Sequence, residues 1–259
     1  MEVSEGIGKR WTMIMNDPGL KIHKWIAWSG PVLILGYLVC WAVLGHNIPP
    51  PDPSYTAQQL VDNYYVKYQS DILLGQSLSA FFGLIYLPWT CVIAIQMRRR
   101  EKEPLLAYIN LTGGILNAWV LASCPAMWAY AAEVAGKVDP ELVKTIHFVA
   151  WYVFDMTYMV ASLQGFAIGI FALCYRQEPV LYPVWVGWVA IFMAASFLPL
   201  SFIPYFKTGP IAINGLWSFH VVFLSFLVFC VGYSYYMLKE ASRVRISPVQ
   251  GVGQAVSYN

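Results

Sequence analysis

Six long apolar runs constrain this chain more than any other feature: residues 25–45, 72–97, 104–134, 141–175, 184–203 and 216–238. Each exceeds the ~18 residues that make a stretch a candidate to cross a bilayer as a helix. Inside hydrocarbon, backbone N–H and C=O groups must bond within their own segment, so such runs fold as helices. The expected fold class is therefore all-α: an integral membrane bundle of six transmembrane helices with one short amphipathic interfacial helix. With 58% hydrophobic and only 12% charged residues, the composition excludes an ordinary soluble domain. A net charge of +2 is too small to suggest nucleic acid as a partner.

The basic residues set the threading. With the N-terminus inside, Lys9, Arg10, Lys21, Lys24, Arg98, Arg99, Arg100, Lys102, Arg176, Lys239, Arg243 and Arg245 fall on the cytoplasmic side. Only Lys67, Lys137, Lys144 and Lys207 fall outside. That bias follows the positive-inside rule and places both termini in the cytoplasm. The expected organisation is a cytoplasmic lead over 1–23, a membrane domain over 24–240 and a cytoplasmic tail over 241–259. The first apolar run is too long for a signal peptide and lacks a small-residue exit, so it reads as a retained first span. No internal repeat is visible, which leaves inverted-repeat alternating access without support.

The first connection reads HNIPPPDPSYTAQQLVDNYYVKYQSD. Its prolines force an extended exit from the membrane. Thr56 and Gln59 have the spacing of a capping box, predicting a helix over about 55–68. That helix turns Ala57, Leu60, Val61, Tyr64, Tyr65 and Tyr68 to one side and should lie in the interface, as a connector or as a lid. Pro88 predicts a kink in the second span and Pro199 an interruption of the fifth; Pro104 suits the first turn of the third. Gly75, Ser79 and Gly83 predict close helix packing, as do Ser218, Ser225 and Gly232 on the sixth span. The five cysteines show no paired spacing and read as small buried apolar residues.

Asp155, near the middle of the fourth run, is the residue most in need of a reason. An aspartate at that depth costs roughly 2.5–3.5 kcal/mol on insertion scales and marks a functional site by default. No lysine or arginine lies at its depth, so it is expected to be carried as a neutral acid. At about 100° per residue, His147, Trp151, Tyr158, Ser162, Gly165 and Gly169 lie within about 80° of it on a helical wheel. Its candidate partners are His147 on its own helix, Asn110 and Asn117 on the third span, Gln76 on the second, or a tyrosine. Packing glue between helices is the plain alternative to a functional role. Of the deep aromatics, Trp119, Trp151, Tyr152 and Tyr158 could line a pocket for a flat apolar ligand, or simply fill space.

Other chemistries find little support. His46, His147 and His220 lie toward one side with Asp71 and Glu133, but no His-x-x-x-His or Glu-x-x-His spacing accompanies them, and His220 points away from the small-residue face of its helix. No metal and no cofactor are expected. A retinal Schiff base needs an amine within the bundle, and nucleotide-binding and zinc-protease patterns are absent.

The segments PPPDPS, the Tyr64–Tyr65 pair, AIQMRRRE and FKTGPIAING together resemble a loose family of bacterial multi-pass membrane proteins, over most of the chain. The resemblance implies a bacterial inner membrane and carries no activity or site residue with it.

Three functions are expected. The first is binding or transport of a small lipophilic molecule in a polar and aromatic pocket of Asp155, His147, Trp151, Tyr158, Ser162, Asn117, Asn110 and Gln76. The second is an integral-membrane isomerase or cyclase on an isoprenoid or sterol-like substrate, with Asp155 as catalytic acid. The third is an accessory subunit of a larger complex. The partners are then membrane lipids, the lipophilic molecule, and a membrane protein or a second copy of the chain.

Overall fold

The structure, a computed structural model, describes residues 18–243. Most of the expected lead (1–17) and tail (244–259) lie outside the described residues. Regular structure within them is entirely helical. Six helices are long and apolar enough to span a membrane: Lys21–Leu44, Gln69–Arg98, Leu105–Val134, Pro140–Cys174, Val184–Tyr205 and Leu216–Arg243. The chain is a multi-pass membrane protein. These helices are called the first to sixth spans below.

Helices begin where an acceptor meets the free amides of their first turn. The Thr56 hydroxyl accepts from Gln59 N–H at 3.2 Å, and the Gln59 side chain accepts from Thr56 N–H at 2.9 Å, completing the capping box. Asp139 caps the fourth span through Glu141 N–H at 2.8 Å, with Pro140 in the first turn. The third span differs from expectation: Pro104 precedes the helix rather than opening it. Having no side-chain acceptor, it leaves the amides of Leu106 and Ala107 to the Glu101 carboxylate, at 3.0 and 3.1 Å. Burial pushes the Glu101 carboxyl up, and those two donors act in the opposite direction.

Breaks are equally local. Pro88 cannot donate to the Leu84 carbonyl, and the second span is interrupted between Gln69–Leu84 and Tyr86–Arg98. The fifth span is α-helical over Val184–Ser196 and 3-10 over Leu198–Tyr205, around Pro199. The fourth span is also broken, into Pro140–Met156 and Met159–Cys174. There the Thr157 hydroxyl donates to the Val153 carbonyl at 2.7 Å, a side-chain bond to residue i−4 of the kind that bends helices.

Close approaches hold the bundle together. A Cβ on Gly83 would collide with the Leu121 carbonyl oxygen, and one on Gly114 with the Thr90 hydroxyl, so the third span packs tightly on the second. Gly75 instead faces the first span, against Gly45 and Cys40. The sixth span departs from its expected face: Ser218 and Ser225 are buried, but a Cβ on Gly232 would meet nothing within 4 Å. Ser234 takes that role, packing on Gly30 and accepting from Trp89 Nε1 at 3.0 Å. Cys91 and Cys174 are exposed rather than buried.

The two ends of the bundle differ in kind. At the end bearing Arg98–Arg100, Arg100 bonds Glu240 at 3.1 Å and the Gln177 carbonyl at 3.2 Å, joining two connections to the last helix. At the opposite, tyrosine-bearing end the helices change winding. Leu38–Leu44, Val61–Val66 and Leu216–Val221 are π-helical. Such widened turns are frequent at functional sites.

Candidate functional site

Two of these π-helical stretches, in the first and sixth spans, flank a cavity of about 560 Å³. That lies within the ~300–1,000 Å³ range of small-molecule sites. Tyr37 and Trp41 of the first span and Phe223 and Phe226 of the sixth form its sides, with Tyr86 and Phe154 behind. It reaches the surface where Ile48, Pro49, His220 and Leu224 are exposed.

The aromatic walls are aligned. Trp41 stacks on Phe223 with centroids 4.9 Å apart and planes 15° from parallel, and on Phe154 at 5.9 Å and 11°. Phe154 and Phe223 are themselves 9° from parallel. Tyr86 and Phe226 are 10° apart in plane at 6.2 Å.

Polar groups on this wall are few, and the hydroxyls of Tyr37, Tyr86, Thr157 and Tyr158 are bonded within the protein. Asp155, 5% exposed, lines the cavity and makes no hydrogen bond among the described residues. The Cys124 thiol is its electrostatic neighbour. Asn117 lines the cavity with its side-chain amide beside the Tyr86 hydroxyl, and Trp41 lines it with its Nε1 buried and unpartnered. Behind Trp41 stand Trp128 and Trp151, at 6.4 and 6.2 Å from it and 4.9 Å from each other, their indole N–H groups also unpartnered. Unsatisfied buried donors in such number need an explanation, since each carries a desolvation cost of about 1–3 kcal/mol.

The expected site residues separate into three groups. Asp155, Asn117 and Tyr158 line the cavity, and the Tyr158 hydroxyl bonds Ser201. His147 and Trp151 are buried toward the tyrosine end. His147 Nδ1 lies 2.7 Å from the Tyr65 hydroxyl, and Gln76 Nε2 donates to the Gly45 carbonyl at 3.4 Å. Neither His147 nor Gln76 touches the cavity.

Ser162 and Asn110 lie elsewhere. Because the fourth span breaks at Thr157–Tyr158, the wheel that put Ser162, Gly165 and Gly169 beside Asp155 does not continue across it. Ser162 donates to the Ala194 carbonyl at 2.8 Å, and both glycines pack on the fifth span. Asn110 belongs to a network with a residue that sequence reasoning passed over, Gln164. Gln164 Nε2 donates to Thr90 Oγ1 at 2.9 Å and to Asn110 Oδ1 at 3.0 Å, while the Tyr86 hydroxyl donates to Gln164 Oε1 at 2.6 Å. A buried glutamine in a spanning run was a readable signal. Trp41 and Phe223 carried none, being ordinary aromatics in apolar surroundings.

Of the deep aromatics, Trp119 is 59% exposed on the outside of the third span, so it lines no pocket. Trp128 is buried in the tryptophan cluster. His220 is exposed, as its position opposite the small-residue face implied. The short helix packs Leu60, Val61, Tyr64 and Tyr65 on Ala131, Ala132 and Val143, beside the cavity rather than over it. It acts as a connector, and the mouth is bordered by the preceding prolines. Among the described residues no three of His, Cys, Asp and Glu gather where they could hold a metal ion.

Comparison with known protein families, with curated proteins and with solved structures finds no match to this chain.

Proposed function

We propose that this protein binds or carries a small lipophilic molecule within the membrane, in the cavity between its first and sixth spans. One observation carries the reading: a space of about 560 Å³ walled by aromatic rings, with Asp155, which makes no hydrogen bond among the described residues, in its lining. A group that is costly to bury and has no internal partner is well suited to a ligand. The membrane is a bacterial inner membrane with both termini cytoplasmic, on the strength of the basic-residue bias and the resemblance of the connecting segments. The cavity then opens toward the outer leaflet.

The test is native mass spectrometry of protein extracted in mild detergent. A defined additional mass is expected on the wild type and not on Asp155→Ala, with both forms equally folded by circular dichroism. A bare wild-type protein, or a retained mass in the variant, would sink the proposal. Co-purification of a partner protein instead would favour an accessory subunit.

A second reading rests on the same free carboxyl. An acid without internal partners is available to protonate a substrate, and aromatic walls stabilise a developing cation by their π-faces. This is an isomerase or cyclase acting on an isoprenoid or sterol-like molecule. Turnover in proteoliposomes that is lost in Asp155→Asn, with substrate binding retained, distinguishes it from binding alone.

A further inference from the structure

One polar side chain inside the cavity is left without an internal complement, and its chemistry limits what can sit beside it. Resting on the reading of this cavity as a lipophile site, we infer that its occupant is a lipophilic amine whose basic nitrogen pairs with the carboxyl of Asp155.

Elimination is the first argument. The lining hydroxyls of Tyr37, Tyr86, Thr157 and Tyr158 are bonded within the protein. The Asn117 amide stands beside the Tyr86 hydroxyl, and the Trp41 Nε1 is sealed off. Asp155 differs from all of them. It lines the cavity and makes no hydrogen bond among the described residues, yet its carboxyl oxygens are not sealed as the Trp41 nitrogen is. Within the cavity it is the polar side chain left for a ligand.

Charge is the second argument. Among the described residues no lysine or arginine lines the cavity, and the one histidine that does, His220, is exposed at the mouth. The Cys124 thiol on the third span is the electrostatic neighbour of Asp155 and brings no positive charge. An ionised carboxyl here has no counter-ion, and a neutral one has no acceptor for its proton; either state is costly to bury. A basic amine answers both. As the free base it takes the carboxyl proton: the O–H bond breaks, an N–H bond forms, and an ammonium–carboxylate pair results. As the ammonium ion it meets the carboxylate directly and forms the same pair. An alcohol or a ketone leaves an ionised carboxyl uncompensated.

The remaining wall suits the rest of such a molecule. Phe154 precedes Asp155 in the chain and also lines the cavity, together with Trp41, Phe219 and Phe223. Aromatic carbon around an acid accommodates a ligand that is apolar apart from one cationic nitrogen, since rings attract an ammonium and aliphatic side chains do not.

The assignment is tested with three probes on the full-length protein in nanodiscs of zwitterionic lipid, by equilibrium dialysis with partition into empty nanodiscs subtracted. They are 4-phenylbutylamine, 4-phenylbutan-1-ol and 4-phenylbutanoate, which carry a basic, a neutral and an anionic head on one hydrocarbon. The amine is expected to bind about tenfold more tightly than the alcohol, the ratio of a charge-assisted to a neutral hydrogen bond, and the butanoate to bind least. Asp155→Asn keeps the size and polarity of the side chain but cannot form the ion pair. It is expected to bring amine and alcohol to within about threefold of each other. The wild-type comparison needs no variant, so it decides even if Asp155→Asn fails to fold. Alcohol binding as tight as amine binding, or an amine preference that survives Asp155→Asn, would overturn the amine assignment and leave the lipophile site standing. Saturable binding of none of the three would overturn the assignment together with the site.

Discussion

The hydroxyl of Tyr65, on the short helix between the first two spans, lies 2.7 Å from Nδ1 of His147 on the fourth. Both residues are buried, with Tyr65 0% and His147 3% exposed. Neighbouring Tyr64 donates to the Gly45 carbonyl at the end of the first span, at 3.0 Å. A connector that the sequence places at the interface is thereby locked to two spans through consecutive tyrosines.

Removing the Tyr65 hydroxyl leaves a histidine nitrogen buried without a partner. Tyr65→Phe should cost about 1–3 kcal/mol, seen as an earlier midpoint in denaturant unfolding in mild detergent. Tyr130→Phe, on an exposed face, should shift stability by no more than about 0.5 kcal/mol. Equal effects of the two would show that the Tyr65–His147 contact contributes nothing.

Two glycines on spanning helices should respond with opposite signs. Gly83→Ala drives a Cβ into the Leu121 carbonyl, which belongs to backbone and cannot rotate aside; a loss of about 1–3 kcal/mol is expected, as for overpacking. Gly232→Ala meets nothing within 4 Å, and it restricts the unfolded chain, so a gain of about 0.5–1 kcal/mol is expected. Thermal unfolding of the two variants side by side decides it, and destabilisation of both would refute the packing argument.

Gln164 connects Tyr86, Thr90 and Asn110 across three spans. Gln164→Leu leaves the Tyr86 hydroxyl and Asn110 Oδ1 without that partner, and a loss of about 1–3 kcal/mol is expected. Asn110→Ala should act through the same network, so the double variant should lose less than the sum. Strict additivity in a double-mutant cycle would mean that the network does not act as a unit.

Asp52, in the proline-rich connection, accepts from the Ser54 backbone N–H at 2.9 Å and from the Ser54 hydroxyl at 2.7 Å. The backbone bond and then the hydroxyl bond hold its carboxyl below the ordinary value of 3.8. With the folded value depressed, the turn is stabilised above the unfolded value, and that contribution disappears as pH falls through the folded one. Nuclear magnetic resonance titration of the Asp52 carboxyl should give a midpoint below 3.8 that moves up in Ser54→Ala. An unmoved midpoint would exclude Ser54's hydroxyl as a cause.

Much of the architecture was legible in the chain itself, for a plain reason. Six runs longer than the bilayer requires, the capping pair Thr56 and Gln59, and prolines at 88 and 199 each act through backbone hydrogen bonding within a few residues. Local causes leave local signatures. Asp155 was equally visible, because a carboxyl in hydrocarbon stands out at any position.

Which residues share a site was decided by tertiary structure. One threonine hydroxyl turned to Val153 splits the fourth span, and this carries Ser162 to the fifth span while Asp155 stays at the cavity. In a membrane the outside of the bundle is as apolar as its core, so composition cannot tell an inward ring from an outward one. Trp119 faces out and Trp41 faces in, from runs that look alike. Only the packing of the first, third and sixth spans brings Trp41, Asn117 and Phe223 around one space.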